Sequence, residues 1–326
     1  MNDLKLCLVH AAVGRVVALL VLLAGAGYVL QVDDTPAAPA EAGAAVASPV
    51  DYYPRVEPVA VDRDFYATHR TVVPFGRAEL EIPILMYHYV RTPPSPASDL
   101  IGYNLSVAPN IFNAQMDWLY FHGYHTVTFN DVRLYWQHVQ PLPSKPVIIT
   151  LDDGYRDLYS TAYPILAAHG FTAVAYIVSQ FVGRKGYVTA DQVKQLDAFG
   201  IEIAAHTVNH ADLSRTYGSL LTFELVASKA WLENLLGHPV LDMAYPSGKY
   251  DDQVVAAVAA AGYYSATTEV YGVIHTQQDR YVWTRVRVGG GEPMSMFIIN
   301  LGPSMPTVTL TSITKTPARL AMLMQA

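Results

Sequence analysis

Two short stretches hold residue types that can do chemistry. In VIITLDDGY (147–155) an apolar, β-branched run meets Asp152 and Asp153 and then Gly154. In IEIAAHTVNH (201–210) a second apolar run ends on His206 and His210. A buried carboxylate is costly unless it is paired, hydrogen-bonded or metal-bound, so two acids at the mouth of a buried strand need a reason. Neighbours on a regular strand point to opposite faces. A strand that stops at Leu151, followed by a turn at Gly154, aims both acids into one mouth. The plainer use of such acids is to cap the next helix. The four-residue spacing of the histidines lets both imidazoles face one point across a single turn. One carboxylate with two histidines is a three-ligand set that leaves a position for water. One divalent ion is expected there, with zinc the default and Co, Ni or Fe also permitted.

Two further strand ends carry polar groups. ILMYHYV (84–90) presents His88, and AYPSGKY (244–250) forms a Pro/Gly loop over Pro246, Ser247 and Gly248 that can offer a backbone N–H to an oxyanion. A satisfied core histidine is the ordinary meaning of His88 taken alone. Four polar strand ends taken together argue for one site.

The elements that would position these residues alternate. Strand signals at IPILMYH, KPVIITL, TAVAYIV, IEIAA, VLDMAY, YYSATT and RYVWTRVRV are separated by helix signals. The latter include PNIFNAQMDWLYFHG, YRDLYSTAYPILAAHG with Pro164 as a kink, TADQVKQLDAFG opening on a Thr cap, SLLTFELVASKAWLENLLG, DDQVVAAVAAAG and a short MSMFIINLG. Alternation of this kind predicts parallel βα units. The fold class expected is α/β, an irregular (β/α) barrel of about seven strands. In such a barrel, polar groups at strand ends share one mouth.

At the N-terminus, residues 1–32 read as a signal peptide or membrane anchor. Val16 to Leu30 is uncharged and follows Arg15; as a helix it is about 22 Å long, short of a ~30 Å hydrocarbon core. Ala24-Gly25-Ala26 offers a cleavage site, and snorkelling of Arg15 would permit an uncleaved anchor in the membrane instead. Residues 33–80 read as an Ala/Pro-rich linker and an irregular lead-in, 81–302 as the barrel domain, and 303–326 as a tail without a clear signal. The expected location is extracytoplasmic: secreted, periplasmic or anchored outside the cytoplasmic membrane.

Composition narrows the classes. The 326 residues carry a net charge of −7 and no Lys/Arg run, which argues against a nucleic-acid partner. With 52% hydrophobic and 15% charged residues, a sizeable core is expected. The single cysteine, Cys7, excludes a disulfide framework or a Cys-based zinc site within the chain.

From about residue 81 to 300 the chain resembles the polysaccharide deacetylases with the NodB-homology domain. The pieces that carry the resemblance are TLDDG, HTVNH and AYPSGKYDDQVVAAVAAAGY, framed by LPSKPVIITLDDGYRD and GYVTADQVKQLDAFGIEIAAHTVNHADL. The early ILMYHYV is similar to the branch of poly-N-acetylglucosamine deacetylases. The resemblance implies a hydrolase acting on a non-peptide carbon–nitrogen bond, and an acetylated amino-sugar polysaccharide as substrate. It implies Asp152 as general base, Asp153 with His206 and His210 on the metal, and Pro246–Gly248 beside the acetyl group, with the Ser247 N–H as oxyanion donor. His88 would be the general acid, and Arg285 in WTRVRV a partner for the base or an ordinary rim arginine. Ser247 stands where the family often has a tyrosine. The late Leu-x-His motif from which many members draw their acid is missing; the one late histidine, His275, reads as a loop residue, so His88 is preferred. The rival readings are a glycan-binding protein without chemistry, an iron oxygenase with the same ligand set and a structural envelope protein.

Overall fold

The computed structural model describes residues 70–302 and 308–310. The expected leader and most of the linker lie outside the described residues. Seven strands form the centre: β1 (Ile84–Tyr87), β2 (Pro146–Leu151), β3 (Val174–Ile177), β4 (Glu202–Ala205), β5 (Asp242–Ala244), β6 (Ser265–Tyr271) and β7 (Trp283–Arg287). Each pairs in parallel with the next, and β7 returns to β1, so the sheet closes into a seven-stranded barrel. Both faces are covered, which is why β1, β2 and β3 read as unbroken apolar runs rather than as alternating ones.

Alternation is nevertheless present in three dimensions. Ile84, Ile148, Val174, Tyr176, Ala204, Ala244 and Trp283 belong to one apolar cluster, the barrel interior. Their neighbours Leu85, Ile149, Ala175, Ala205, Met243 and Val286 belong to a second, packed under the helices. The helices are α1 (Leu100–Leu105), α2 (Pro109–Phe121), α3 (Phe129–Trp136), α4 (Tyr163–Ala168), α5 (Ala190–Ala198), α6 (Gly218–Leu236), α7 (Asp252–Ala260) and α8 (Met294–Asn300). Local chemistry sets their ends. Thr189 caps α5 in a reciprocal pair with Gln192, and Gly237 closes α6 at φ 79°. The expected kink at Pro164 takes the form of a π-helical turn over Leu158–Ala162 ahead of α4. Proline has no N–H to continue the regular ladder, and the Tyr163 N–H bonds back to Leu158 O.

The entering end of the barrel is plugged by α3, whose Phe129 stacks on Trp283 at 5.6 Å. Two segments read as irregular or without a clear signal contain short strands. The supposed irregular lead-in carries two strands, Arg70–Val73 and Glu79–Glu81. Arg70–Val73 pairs with Leu142–Pro143 and with Val308–Leu310, so the tail also contributes a strand. These strands are three or four residues at most, too short for a period-2 pattern to emerge from sequence. Among the described residues no helix is long and apolar enough to cross a membrane.

Candidate active site

Interior positions on the strands continue directly into the polar residues. Ile148 faces inward, so the next inward positions on β2 are Thr150 and then Asp152, whose N–H donates to Tyr87 O at 2.9 Å. Asp153 is out of phase for a regular strand. Its left-handed backbone, φ 72°, followed by Gly154 at φ 73°, swings it back over the mouth. A side chain on Gly154 would also lie 3.1 Å from Ile177 Cδ1. Both acids are buried, Asp152 at 2% and Asp153 at 7% exposed.

On β4 the same phase runs from Ala204 to His206. The following loop holds left-handed Thr207 (φ 66°) and His210 (φ 58°), so the two histidines converge through a turn and not along a helix. Glu224, buried on α6, fixes that loop: it accepts from the N–H groups of Val208 and Asn209 at 2.9 Å each and from Asn209 Nδ2 at 2.8 Å. Nothing in the sequence reading singled Glu224 out, although an acid on the buried face of an apolar helix was its signal.

The Nε2 atoms of His206 and His210 each lie 3.3 Å from Asp153 Oδ1. His206 Nδ1 sits 2.8 Å from the Ala244 carbonyl, which can only accept. Nδ1 of His206 therefore carries a proton, which leaves Nε2 as the ring nitrogen that can face a cation beside Asp153. Asp153 Oδ1 is buried and makes no hydrogen bond. Acceptors facing one another in a buried site call for a cation, and the three ligand atoms lie within 4.8 Å of one another. The donor set fits a divalent metal. Burial alone would raise the Asp153 carboxyl, but the two imidazoles hold it well below the usual range.

Asp152 has a different partner. Arg285, on the interior phase of β7, donates from Nη1 to Asp152 Oδ1 at 2.8 Å and to Thr150 Oγ1 at 3.1 Å, and from Nε to Thr268 O at 2.8 Å. Burial pushes the Asp152 carboxyl up; Arg285 and then His88 outweigh it, and the net shift is downward. His88 follows β1 at the same mouth and is 8% exposed. Burial lowers its pKa, while Asp152 and Asp153 oppose that shift.

Pro246–Gly248 forms one tight turn after β5, with Ser247 at φ 52°. A cavity of about 410 Å³ opens over these groups, lined by His88, Asp153, His206, His210 and Ser247. It is also lined by residues that the sequence reading passed over: Tyr155, Glu269, Arg287 and, from α1, Ile101, Asn104 and Leu105. Tyr155 is held in a stack between Tyr89 (3.6 Å) and Tyr187 (5.1 Å). Glu269 and Arg287 lie two positions past inward-facing Thr267 and Arg285, so strand phase was the signal that could have found them.

His275 is not a loop residue. It lies in a strand, Ile274–Thr276, paired with Glu79–Glu81. Its Nε2 is 2.9 Å from Ile82 O, upstream of β1, whereas His88 is downstream of that strand. His275 is thus kept away from the mouth.

Comparison with known proteins gives the family. The sequence profile of the family described as polysaccharide deacetylase matches residues 139–266. The YxkH protein of Bacillus subtilis (strain 168), whose own assignment as a polysaccharide deacetylase is provisional, is 32% identical over 217 residues, covering 67% of this chain and 75% of that one. The poly-beta-1,6-N-acetyl-D-glucosamine N-deacetylase of Staphylococcus aureus (strain MRSA252) is 26% identical over 194 residues, 55% of this chain and 67% of that one. Among solved structures, the Streptococcus pyogenes deacetylase PplD in complex with acetate superposes with a TM-score of 0.63 at 28% identity, covering 71% of this chain and all of that one. The chain belongs to the polysaccharide deacetylase family, hydrolases that act on carbon–nitrogen bonds other than peptide bonds.

Proposed function

We propose that this protein removes acetyl groups from an N-acetylated amino-sugar polymer in a metal-dependent hydrolysis outside the cytoplasm. The observation that carries the reading is the pair of adjacent acids with separate partners: Asp153 faces two histidine nitrogens, and Asp152 is locked by Arg285. Asp153, His206 and His210 are the residues that would hold the ion, zinc by its ligand preferences. When bound, such an ion lowers the pKa of a coordinated water and polarises the acetyl carbonyl.

The chain's own groups do the rest. Asp152 is a carboxylate at neutral pH and takes the proton of the attacking water on the oxygen that Arg285 does not occupy. The Ser247 N–H donates to the oxyanion of the tetrahedral species. A protonated His88 delivers a proton to the amine nitrogen, which is a poor leaving group without one. Tyr155 and α1 wall the mouth. The polymer class rests on the Staphylococcus aureus relative's substrate and on the ILMYHYV stretch. The location rests on the uncharged run Val16 to Leu30 and the Ala/Pro-rich stretch after it.

The test is acetate release from β-1,6 and β-1,4 N-acetylglucosamine oligomers and from peptidoglycan, using metal-stripped and reconstituted protein. Release that returns with the metal is expected. Activity on small non-sugar amides alone would overturn the substrate class, and full activity after stripping would overturn the metal.

A further inference from the structure

Two ion pairs use successive inward positions of the last strand, Arg285 and then Arg287. The inner pair, Arg285 with Asp152, is buried. The outer pair joins Arg287 Nη1 on β7 to Glu269 Oε2 on β6 at 2.7 Å, with side chains 45% and 28% exposed. Both outer residues line the same cavity as Asp153, His206 and His210. Apart from those three, His88 and Tyr155, no other ionisable side chain is on its described lining. The other rim residues, Ile101, Asn104 and Leu105, are uncharged.

A half-exposed pair of this kind adds little to folding, because solvent screens it. Its placement is nonetheless fixed. A Cβ built on Gly248 would sit 3.0 Å from Glu269 Cβ and 3.2 Å from the Glu269 N, so the Ser247 turn packs directly on the stem of Glu269. The pair is thereby held beside the point where the acetyl group would lie. It presents a carboxylate and guanidinium N–H groups, the acceptor and donors that sugar hydroxyls need, with no net charge.

We propose that Glu269 and Arg287 are specificity-determining residues that select an uncharged sugar unit next to the one being deacetylated. The inference rests on the glycan reading above and deepens it. A neutral unit binds with the pair intact. A unit bearing a carboxylate must draw Arg287 away from Glu269, and a unit bearing a free ammonium must draw Glu269 away from Arg287. Either exchange breaks the pair and leaves one charge without its partner.

The experiment uses the metal-loaded full chain and three substrates: an uncharged N-acetylglucosamine oligomer, the same oligomer partly deacetylated, and an alternating oligomer of N-acetylglucosamine and N-acetylmuramic acid. Acetate release gives a kcat/KM for each. In Glu269→Gln the ratio of carboxylate-bearing to uncharged substrate should rise about 2- to 5-fold. In Arg287→Gln the ratio of ammonium-bearing to uncharged substrate should rise by a similar factor, and added salt should shrink both changes. Ratios cancel any general loss of folding or turnover. If both variants lower all three substrates in the same proportion, or if neither ratio moves, the pair does not select by charge. If wild-type protein releases acetate from none of the three, it is the glycan reading itself that fails.

Discussion

Arg285 and Asp152 form a buried ion pair: Nη1 stands 2.8 Å from Oδ1, and the two side chains are 0% and 2% exposed. Removing one partner of a buried pair leaves the other charge uncompensated, at a cost of about 3–5 kcal/mol. Arg285→Met should therefore lower stability by roughly that amount. It should also let burial raise the Asp152 pKa, moving the acid limb of the kcat/KM profile to higher pH, because the base must be ionised. Chemical denaturation and a pH–rate profile check the two effects. An unmoved acid limb in a folded variant would show that Arg285 does not tune the base.

The same pair separates the roles proposed for the two acids. Asp152→Asn keeps the shape and removes the proton acceptor, so kcat should fall by ~10²–10⁴ while metal content stays at the wild-type level. His206→Ala removes a lone pair aimed at Asp153 and should lose the metal. Elemental analysis of the two purified variants distinguishes them. Full metal occupancy in His206→Ala would mean that the ligand set is wrong.

Much of the site was legible because a strand's phase survives past its last hydrogen bond. Asp152, His206 and Arg285 occupy inward positions counted from Ile148, Ala204 and Trp283, and the apolar runs in the sequence marked those strands. Asp153 could not be placed by counting, since its position depends on a left-handed residue that no propensity reports. Glu269, Arg287 and Tyr155 were passed over for another reason. Their meaning lies in side-chain contacts, Glu269 with Arg287 and Tyr155 with Tyr89 and Tyr187, and a charged residue at a strand end reads as a rim residue until its partner is known. The strand at Val308–Leu310 pairs over more than two hundred residues with Arg70–Val73, and local pattern contains no trace of that pairing.

His88 is the acid in the proposed mechanism, and its pKa is pushed below the ordinary imidazole value chiefly by burial. A group that acts protonated loses activity as pH rises through its pKa. The kcat/KM profile should therefore fall on its alkaline side, and His88→Ala should lose that limb together with ~10²–10⁴ of kcat. A pH–rate series on both proteins is the check. A His88→Ala variant with the wild-type alkaline limb would assign that limb to another group.

His275 should matter for stability and not for turnover. It is 2% exposed, donates from Nε2 to Ile82 O, and has no hydrogen bond at Nδ1. Burial pushes its pKa down to about 4, so the folded chain holds it neutral. The unfolded chain protonates it near the ordinary value of about 6.5. Between those values the unfolded state binds the extra proton, so stability rises with pH there and is lost as pH falls from about 6.5 toward 4. At about 1.4 kcal/mol per unit, the loss is on the order of 3 kcal/mol. His275→Gln keeps a donor for Ile82 O but does not titrate. Urea denaturation at pH 7 and pH 4.5 should show the variant losing less stability than wild type on acidification, with kcat at pH 7 close to normal. Equal losses in the two proteins would show that His275 is already protonated, or not buried, in the folded chain.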